Sequence, residues 1–305
     1  MTTLGAVLRP QLAPEGLRSV ARAADDAGLG ELWLWEDCFR EGGLTSAAAV
    51  LAWTERVRVG VGLLPVPLRN VALTAMEAAT LHRMFPGRVT LGVGHGVQDW
   101  MGQVGARPES PLTLLREHLL ALRALLRGER VTTSGRYVRL DDVALDWPPA
   151  PEDAVVLAGG TGPRTVRLTG EAADGTILTA NTSAEGVRRA RRLVDEGRAE
   201  AGRRAEPHRL VVYLLAATGP GAAERVRAEL DAEGAAPDAD LGAAGDAGAV
   251  ARQVRRLAEA GADAVILQPT ADEPDPEGFV RFVAQEVAPE LQGTGTGGRV
   301  GGDRS

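Results

Sequence analysis

A glycine-rich segment in the middle of the chain has the composition of an anion-binding loop. Gly159-Gly160-Thr161-Gly162 directly follows an apolar run, and Pro163 is a typical first residue of a helix. Such a loop turns successive backbone N–H groups and a helix N-terminus toward one point, with the Thr161 hydroxyl and the Arg164 guanidinium as further donors. It lacks the dinucleotide fingerprint and the Walker lysine, so it predicts a site for one phosphate, with an ordinary glycine-rich turn as the alternative.

Three other side chains could take part in a reaction. Asp37 could accept a hydrogen bond from a polar ring or a substrate hydroxyl, or it could cap a helix. Cys38 is either a reactive thiol or a small buried side chain. His95, between two glycines, is our candidate proton donor, with a hydrogen-bonded loop histidine as the alternative. Because no catalytic triad or carboxylate pair is discernible, we expect a cofactor to supply the chemistry.

The composition of the 305 residues excludes several kinds of chemistry. All 34 basic residues are arginine, so Schiff-base catalysis, pyridoxal phosphate anchoring and a phosphate-binding lysine are excluded. A single cysteine and four dispersed histidines predict no metal site. The formal charge of −7 argues against nucleic acid or an anionic membrane as partner. Without a signal peptide or a long apolar stretch, we expect a cytoplasmic protein.

The chain alternates short apolar runs with amphipathic segments, as expected for a parallel sheet covered by helices. Eight such units favour a TIM-like (β/α)8 barrel over residues 1–292. Residues 131–147, with Ser134-Gly135 between apolar runs, predict a β-hairpin inserted before strand five. Residues 293–305 have little to bury and predict a disordered tail. The predicted strands are Leu4–Leu8, Glu31–Trp35, Val57–Leu64, Val89–Val93, Ala154–Ala158, Thr176–Thr179, Leu210–Ala216 and Ala264–Gln268.

In such a barrel the active site lies on the loops after the strands. Asp37 and Cys38 follow strand two, and His95 follows strand four. The glycine-rich loop follows strand five, and Asn181 follows strand six. Trp100, after strand four, could offer a stacking surface. The residues named above are therefore expected to converge at one end of the barrel.

The order and spacing of six segments resemble the bacterial luciferase-like family of flavin- and deazaflavin-dependent oxidoreductases over nearly the full length. The segments are Ala27–Phe39, Val59–Pro65, Pro86–Gly96, Leu115–Glu117, Leu157–Arg164 and Gly170–Leu178. The resemblance implies a TIM-like barrel that binds coenzyme F420 or FMN at the strand ends.

The resemblance also implies where the cofactor binds. The ring would rest on a bulge in strand three near Gly62, Leu63 and Leu64, often formed around a non-proline cis peptide. The phosphate would bind the loop of residues 159–164. The composition of that loop predicts a phosphate site independently of the resemblance. Asp37 matches a position that contacts the deazaflavin in F420-using members.

Two departures bear on the substrate. The sugar-phosphate dehydrogenases of this family carry His and Glu where this chain has Cys38 and Val97. Their acid–base pair is absent, so we do not expect glucose 6-phosphate oxidation. The residues expected to face the ring resemble the branch that includes methylenetetrahydromethanopterin reductase. Cys38, Val97, Trp100 and Asn181 are the predicted substrate pocket.

The sequence thus predicts a coenzyme F420-dependent oxidoreductase that transfers a hydride between the deazaflavin and a small organic substrate. One alternative is an FMN-dependent monooxygenase supplied by a separate flavin reductase, and another is a barrel that carries or senses a cofactor without turnover. A homodimer is expected from the family, with the apolar helices Leu44–Trp53 and Val71–Met84 as candidate interface. A flavin or F420 reductase is a candidate partner.

Overall fold

The computed structural model describes residues 2–236 and 240–292. The strands in this part of the chain are β1 (Thr3–Leu8), β2 (Glu31–Leu34), β3 (Arg58–Pro65), β4 (Val89–Gly94), β5 (Val131–Ser134), β6 (Arg139–Val143), β7 (Val156–Gly159), β8 (Gly175–Leu178), β9 (Arg209–Ala217), β10 (Ala243–Ala244) and β11 (Ala264–Pro269). Residues 293–305, predicted as a disordered tail, lie outside the described residues.

Eight of these strands close into a parallel barrel. Their order is β1, β2, β3, β4, β7, β8, β9 and β11, and β11 pairs back onto β1. The two-residue strand β10 pairs in parallel with the end of β9. The predicted (β/α)8 barrel is therefore confirmed, and each of its eight strands overlaps a predicted one.

The predicted hairpin before the fifth barrel strand is also confirmed. Strands β5 and β6 pair antiparallel outside the barrel. The Glu117 carboxylate fixes the turn between them, because it accepts the backbone N–H groups of Arg136, Tyr137 and Val138 at 2.9, 2.8 and 2.9 Å. Since Glu117 lies on the preceding helix, the insertion is attached to the outside of the barrel.

Helices cover the outside of the barrel. In the described residues they are α1 (Leu17–Asp26), α2 (Gly43–Trp53), α3 (Val71–Met84), α4 (Gln98–Gln103), α5 (Pro111–Leu126), α6 (Pro163–Ala172), α7 (Ala184–Glu200), α8 (Ala222–Ala232), α9 (Ala247–Glu259), α10 (Pro276–Phe282) and α11 (Ala288–Gln292). A π-helical turn, Val283–Val287, joins the last two. None of these helices is long and apolar enough to cross a membrane.

Side chains close the amino end of the barrel. Glu31, the first residue of β2, is 1% exposed. Its carboxylate accepts hydrogen bonds from Arg58 and Arg209, the first residues of β3 and β9, at 2.9 and 2.6 Å. The indole N–H of Trp33 bonds to the same carboxylate at 3.0 Å. With this end filled, open space is left at the carboxyl end of the strands, where the candidate residues were expected.

Candidate active site

The floor of the site is a bulge in β3. The register between β3 and β4 shifts between Val61 and Leu64, so that Gly62 and Leu63 together oppose Gly92. The peptide bond between Gly62 and Leu63 is cis. A bulge therefore occurs where the family resemblance implies one.

Large side chains inside the barrel explain why β3 has glycine at residues 60 and 62. A Cβ atom on Gly60 would lie 2.4 Å from Trp33 Cδ2, and one on Gly62 would lie 2.1 Å from Tyr213 Oη. The Tyr213 hydroxyl donates a hydrogen bond to the carbonyl oxygen of Gly62 at 2.9 Å. Burial raises the pKa of Tyr213, which keeps this hydroxyl protonated. The barrel interior thus both excludes a side chain from residue 62 and holds its carbonyl group.

Leu63 lies over bare backbone on the neighbouring strands. A Cβ atom on Gly94 or on Gly159 would come within 2.5 Å of Leu63 Cδ2. Because β4 and β7 both end in glycine, the Leu63 side chain can lie against them. The result is an apolar surface made of one leucine and backbone atoms, which suits the face of a flat ring.

Above this floor lies a cavity of about 550 Å³ at the carboxyl end of the barrel. Ten predicted site residues line it: Asp37, Gly62, Leu63, His95, Val97, Trp100, Gly159, Gly160, Thr161 and Asn181. They come from the ends of several strands, as is usual for active sites of this fold. The convergence expected from the strand-end positions is therefore found for these residues.

A second groove of about 320 Å³ adjoins the cavity and shares Gly160, Thr161, Thr179 and Asn181 with it. It lies beside the N-termini of α6, which begins at the groove-lining residue Pro163, and of α7. Helix N-termini carry partial positive charge and free N–H groups. Arg189, on the first turns of α7, also lines the groove and has no ion pair within the described residues. This end of the site favours an anion.

The remaining predicted site residues lie outside both spaces. Leu64 is 1% exposed and packs in the core behind the bulge. Gly162 forms the N-cap of α6, and Arg164 is exposed on its first turn. Burial, with the nearby charges of Glu36 and Asp37, raises the pKa of the Cys38 thiol, which therefore stays protonated at neutral pH.

His95 lines the cavity, and its side chain is hydrogen-bonded to helix α6. Its Nε2 atom lies 3.0 Å from Thr165 Oγ1 on α6, and its Nδ1 atom is buried without a hydrogen-bond partner in the described residues. Burial lowers the pKa of His95, so the imidazole is neutral at pH 7. Gln98 holds the same loop by donating to the His95 carbonyl oxygen at 3.0 Å.

Several functional positions were not found from the sequence. Arg9, Trp35 and Tyr213 all line the cavity. Arg9 and Trp35 come from the ends of β1 and β2, where alternation along a strand decides which side chain faces inward. Gln268, at the end of the eighth predicted strand, also lines the cavity. The short helix α4 was also missed, because six residues that include a glycine show no helical period.

The comparison with known families agrees with this geometry. The model of the luciferase-like monooxygenase family matches residues 2–273. The chain belongs to this family. The family resemblance inferred from the sequence is thereby confirmed.

Curated relatives of this luciferase-like chain include enzymes named for reductase and dehydrogenase activities. The 5,10-methylenetetrahydromethanopterin reductase of Methanolobus tindarius is 30% identical over 162 residues, which are 53% of this chain and 49% of the reductase. The F420-dependent glucose-6-phosphate dehydrogenase of Kineococcus radiotolerans is 34% identical over 184 residues, which are 56% of this chain and 54% of the dehydrogenase. The chain thus spans about half the length of these relatives.

A solved structure extends the likeness of the fold to nearly the whole chain. It is an F420-dependent secondary alcohol dehydrogenase in complex with an F420–acetone adduct, and it superposes with a TM-score of 0.84. The match covers 95% of this chain and 99% of that chain at 22% identity. This likeness shows the common barrel fold.

The contact between Tyr213 and Gly62 can be tested by a double-mutant cycle. We expect Gly62→Ala to lower the free energy of unfolding by about 1–3 kcal/mol, because its Cβ atom would overlap the tyrosine hydroxyl. Tyr213→Phe alone removes one hydrogen bond and should cost about 1 kcal/mol. In the double variant the overlap with the hydroxyl is relieved and the overlap with the Trp33 ring is left, so the loss in urea unfolding should be smaller than the sum.

Gly162→Ala is the matched control for this cycle, because its Cβ atom would meet nothing within 4 Å. It should change the free energy of unfolding by less than about 0.5 kcal/mol. Strictly additive losses at residues 62 and 213 would show that the hydroxyl is not what excludes a side chain there.

Proposed function

We propose that this protein is a coenzyme F420-dependent oxidoreductase that moves a hydride between the deazaflavin and a small organic substrate. The observation that carries the proposal is the continuous site formed by the β3 bulge, the cavity above it and the adjoining groove at two helix N-termini. An apolar floor at one place and an anion-binding groove at another suit a cofactor with a flat ring and a phosphate. The curated relatives named above include an F420-dependent enzyme.

The residues present fit such a cofactor. Glycine at residues 62, 94 and 159 lets the Leu63 side chain lie flat across the strand ends, because a Cβ atom at any of these glycines would overlap Leu63 or the residues beneath the bulge. Leu63 would support the ring, and Gly160, Thr161 and the N-terminus of α6 at Pro163, with Arg189, would hold the phosphate. The deazaflavin, when bound, supplies hydride transfer. The protein would hold it, exclude water and direct a proton to the substrate.

An FMN-dependent monooxygenase, served by a separate flavin reductase, is the second candidate. The description of the matching family as luciferase-like monooxygenases favours it. The backbone floor would accept either ring. The two functions differ in oxygen reactivity, because a deazaflavin carries carbon at the position where a flavin reacts with oxygen.

The deciding measurement is titration of the purified apo protein with F420 and, separately, with FMN, by fluorescence or calorimetry. We expect micromolar binding of F420 and weaker binding of FMN. Arg189→Ala should weaken binding of F420 about three- to tenfold, since it removes a cation beside the phosphate site. The neighbouring Arg188, which pairs with Glu185 at 3.0 Å and does not line the groove, provides the control variant Arg188→Ala.

Tighter binding of FMN than of F420 would favour the second candidate, the FMN-dependent monooxygenase. Binding of neither compound would contradict both functions. An equal loss of affinity in the two arginine variants would indicate a general charge effect rather than a site at Arg189.

His95 remains our candidate for proton delivery, and Asp37 is the second candidate. Burial raises the pKa of Asp37, against the effects of Arg40 and Arg9, so its carboxyl group can hold a proton closer to neutral pH. If His95 delivers the proton, His95→Ala with saturating cofactor should lower turnover about 100-fold without changing the Kd of the cofactor.

Thr165→Val is the companion variant to His95→Ala, because it removes the hydrogen-bond partner of Nε2 and keeps the imidazole. We expect it to lower turnover less than His95→Ala does. Unchanged turnover in His95→Ala would remove His95 from the mechanism and leave Asp37 to be tested in the same way.

We also propose that two copies of the chain associate through α3. Its outer face exposes the apolar side chains of Leu73, Met76 and Met84, which are 46%, 58% and 62% exposed. A stripe of this kind on one helix is typical of an interface between subunits. Sedimentation velocity should give about twice the chain mass of 31.9 kDa.

Met76→Glu should shift the protein toward the monomer, because it places a charge in the apolar stripe. Leu120→Glu is the control, since Leu120 is 51% exposed on a different helix, α5. A wild-type monomer at tens of micromolar concentration would contradict the proposal.

A further inference from the structure

The charges that line the main cavity are distributed unevenly. Arg9, at the end of β1, forms an ion pair with Glu229 of α8. Glu36, after β2, accepts two hydrogen bonds from the Arg69 guanidinium at 3.0 and 2.6 Å. Each of these lining charges is therefore compensated by a partner.

Two acidic residues in the lining have no such compensation. Asp37 makes neither an ion pair nor a side-chain hydrogen bond within the described residues, although Arg40 and Arg9 are near enough to act on its pKa. Glu233 accepts a hydrogen bond from the Asn181 amide at 2.7 Å and forms no ion pair in that part of the chain. The free cation Arg189 lines only the adjoining groove. The main cavity is thus negative where the groove is positive.

A buried side chain with an amide group lines the same cavity. Along β11, Ala264 and Ile266 belong to the cluster inside the barrel, and the two-residue period of a strand puts Gln268 on that face. Gln268 is 4% exposed and lines the cavity. Its side-chain amide makes no hydrogen bond to any described residue.

Because Gln268 lines the cavity and its amide has no partner among the described residues, a ligand in the cavity can form hydrogen bonds with this amide in place of water. Both of its polar atoms are available, so it can donate to a carbonyl or hydroxyl oxygen and accept from a hydroxyl. A carboxylate or phosphate in this cavity would meet Asp37 and Glu233 in the lining. The lining cation Arg9, whose guanidinium donates to the Pro269 carbonyl oxygen beside Gln268 at 3.1 Å, is already paired with Glu229.

We propose that the main cavity binds a neutral substrate that carries a carbonyl or hydroxyl oxygen, that Gln268 hydrogen-bonds to that oxygen, and that anionic substrates such as sugar phosphates are rejected. The inference rests on the proposed function, which assigns the groove beside Arg189 to the anionic part of the cofactor. The two ends of the site then select opposite kinds of ligand: an anion at the helix N-termini and a neutral group at Gln268.

A matched pair of probes tests the charge preference. Cyclohexanone and cyclohexanecarboxylate have the same ring, and only the second is an anion at pH 7.5. Saturation-transfer NMR titrations, with and without saturating F420, should show cyclohexanone binding at least tenfold more tightly than the carboxylate. Glu233→Gln should strengthen binding of the carboxylate about threefold and leave binding of cyclohexanone unchanged.

Gln268→Met tests the amide, because methionine has nearly the same size and no hydrogen-bonding amide. It should weaken cyclohexanone binding about five- to tenfold. It should also leave the Tm unchanged or raise it, whereas removal of a residue that serves only the fold would lower the Tm. Gln103→Met, at an exposed residue of α4 outside the cavity, is the control, and Gln268→Leu is the second variant if Gln268→Met does not fold.

Three results would overturn the inference. One is carboxylate binding as tight as that of the ketone. The second is unchanged ketone binding in Gln268→Met, and the third is a loss of F420 affinity in that variant, which would make Gln268 a cofactor contact. Failure of F420 to bind the wild-type protein would instead overturn the proposed function, while the titrations without cofactor would still decide the inference.

Discussion

The site depends on how Trp33 and Tyr213 fill the middle of the barrel. The Trp33 ring occupies the space that side chains on Gly60 and Gly62 would need, and the Tyr213 hydroxyl holds the Gly62 carbonyl group from the opposite side of the barrel. These contacts lie next to the extra residue of β3, so the bulge is supported from below by buried side chains. Leu63 can then point toward the glycine ends of β4 and β7, and the cavity has a rigid apolar floor.

Charged groups at the carboxyl end of the barrel are divided between two sides. Strands β7 and β8 lead into α6 and α7, whose N-termini face the groove beside Arg189. Strands β1 and β2 lead into Arg9 and Asp37, which line the main cavity together with the amide of Gln268 on β11. A cofactor phosphate and a substrate of the proposed kind would therefore be drawn to different strand ends. This separation follows from the order of strands in the barrel, because β1 and β2 are opposite β7 and β8.

The sequence was sufficient for the features that depend on local pattern. Apolar runs predicted the eight strands, and Ser134-Gly135 predicted the hairpin, since both signals are contained in a few neighbouring residues. Cavity residues such as Gly160 and His95 were predicted because they follow strands. Tyr213 was missed because its importance comes from a contact across the barrel, the hydrogen bond to the Gly62 carbonyl oxygen. Leu64 was included with the bulge, although its side chain faces the core, because the extra residue changes which side chains point inward.

The backbone floor does not distinguish a deazaflavin from a flavin. The floor consists of the Leu63 side chain and the backbone of glycines, with no polar side chain, and both cofactors bring a flat ring and a phosphate. A difference in affinity must therefore arise where the two molecules differ, at the ring substituents and beyond the phosphate. The groups placed to sense such differences are Asp37 on the cavity wall and Arg189 in the groove. The common floor thus explains how one barrel can serve both kinds of chemistry, and the side chains at its two ends determine which one a given chain performs.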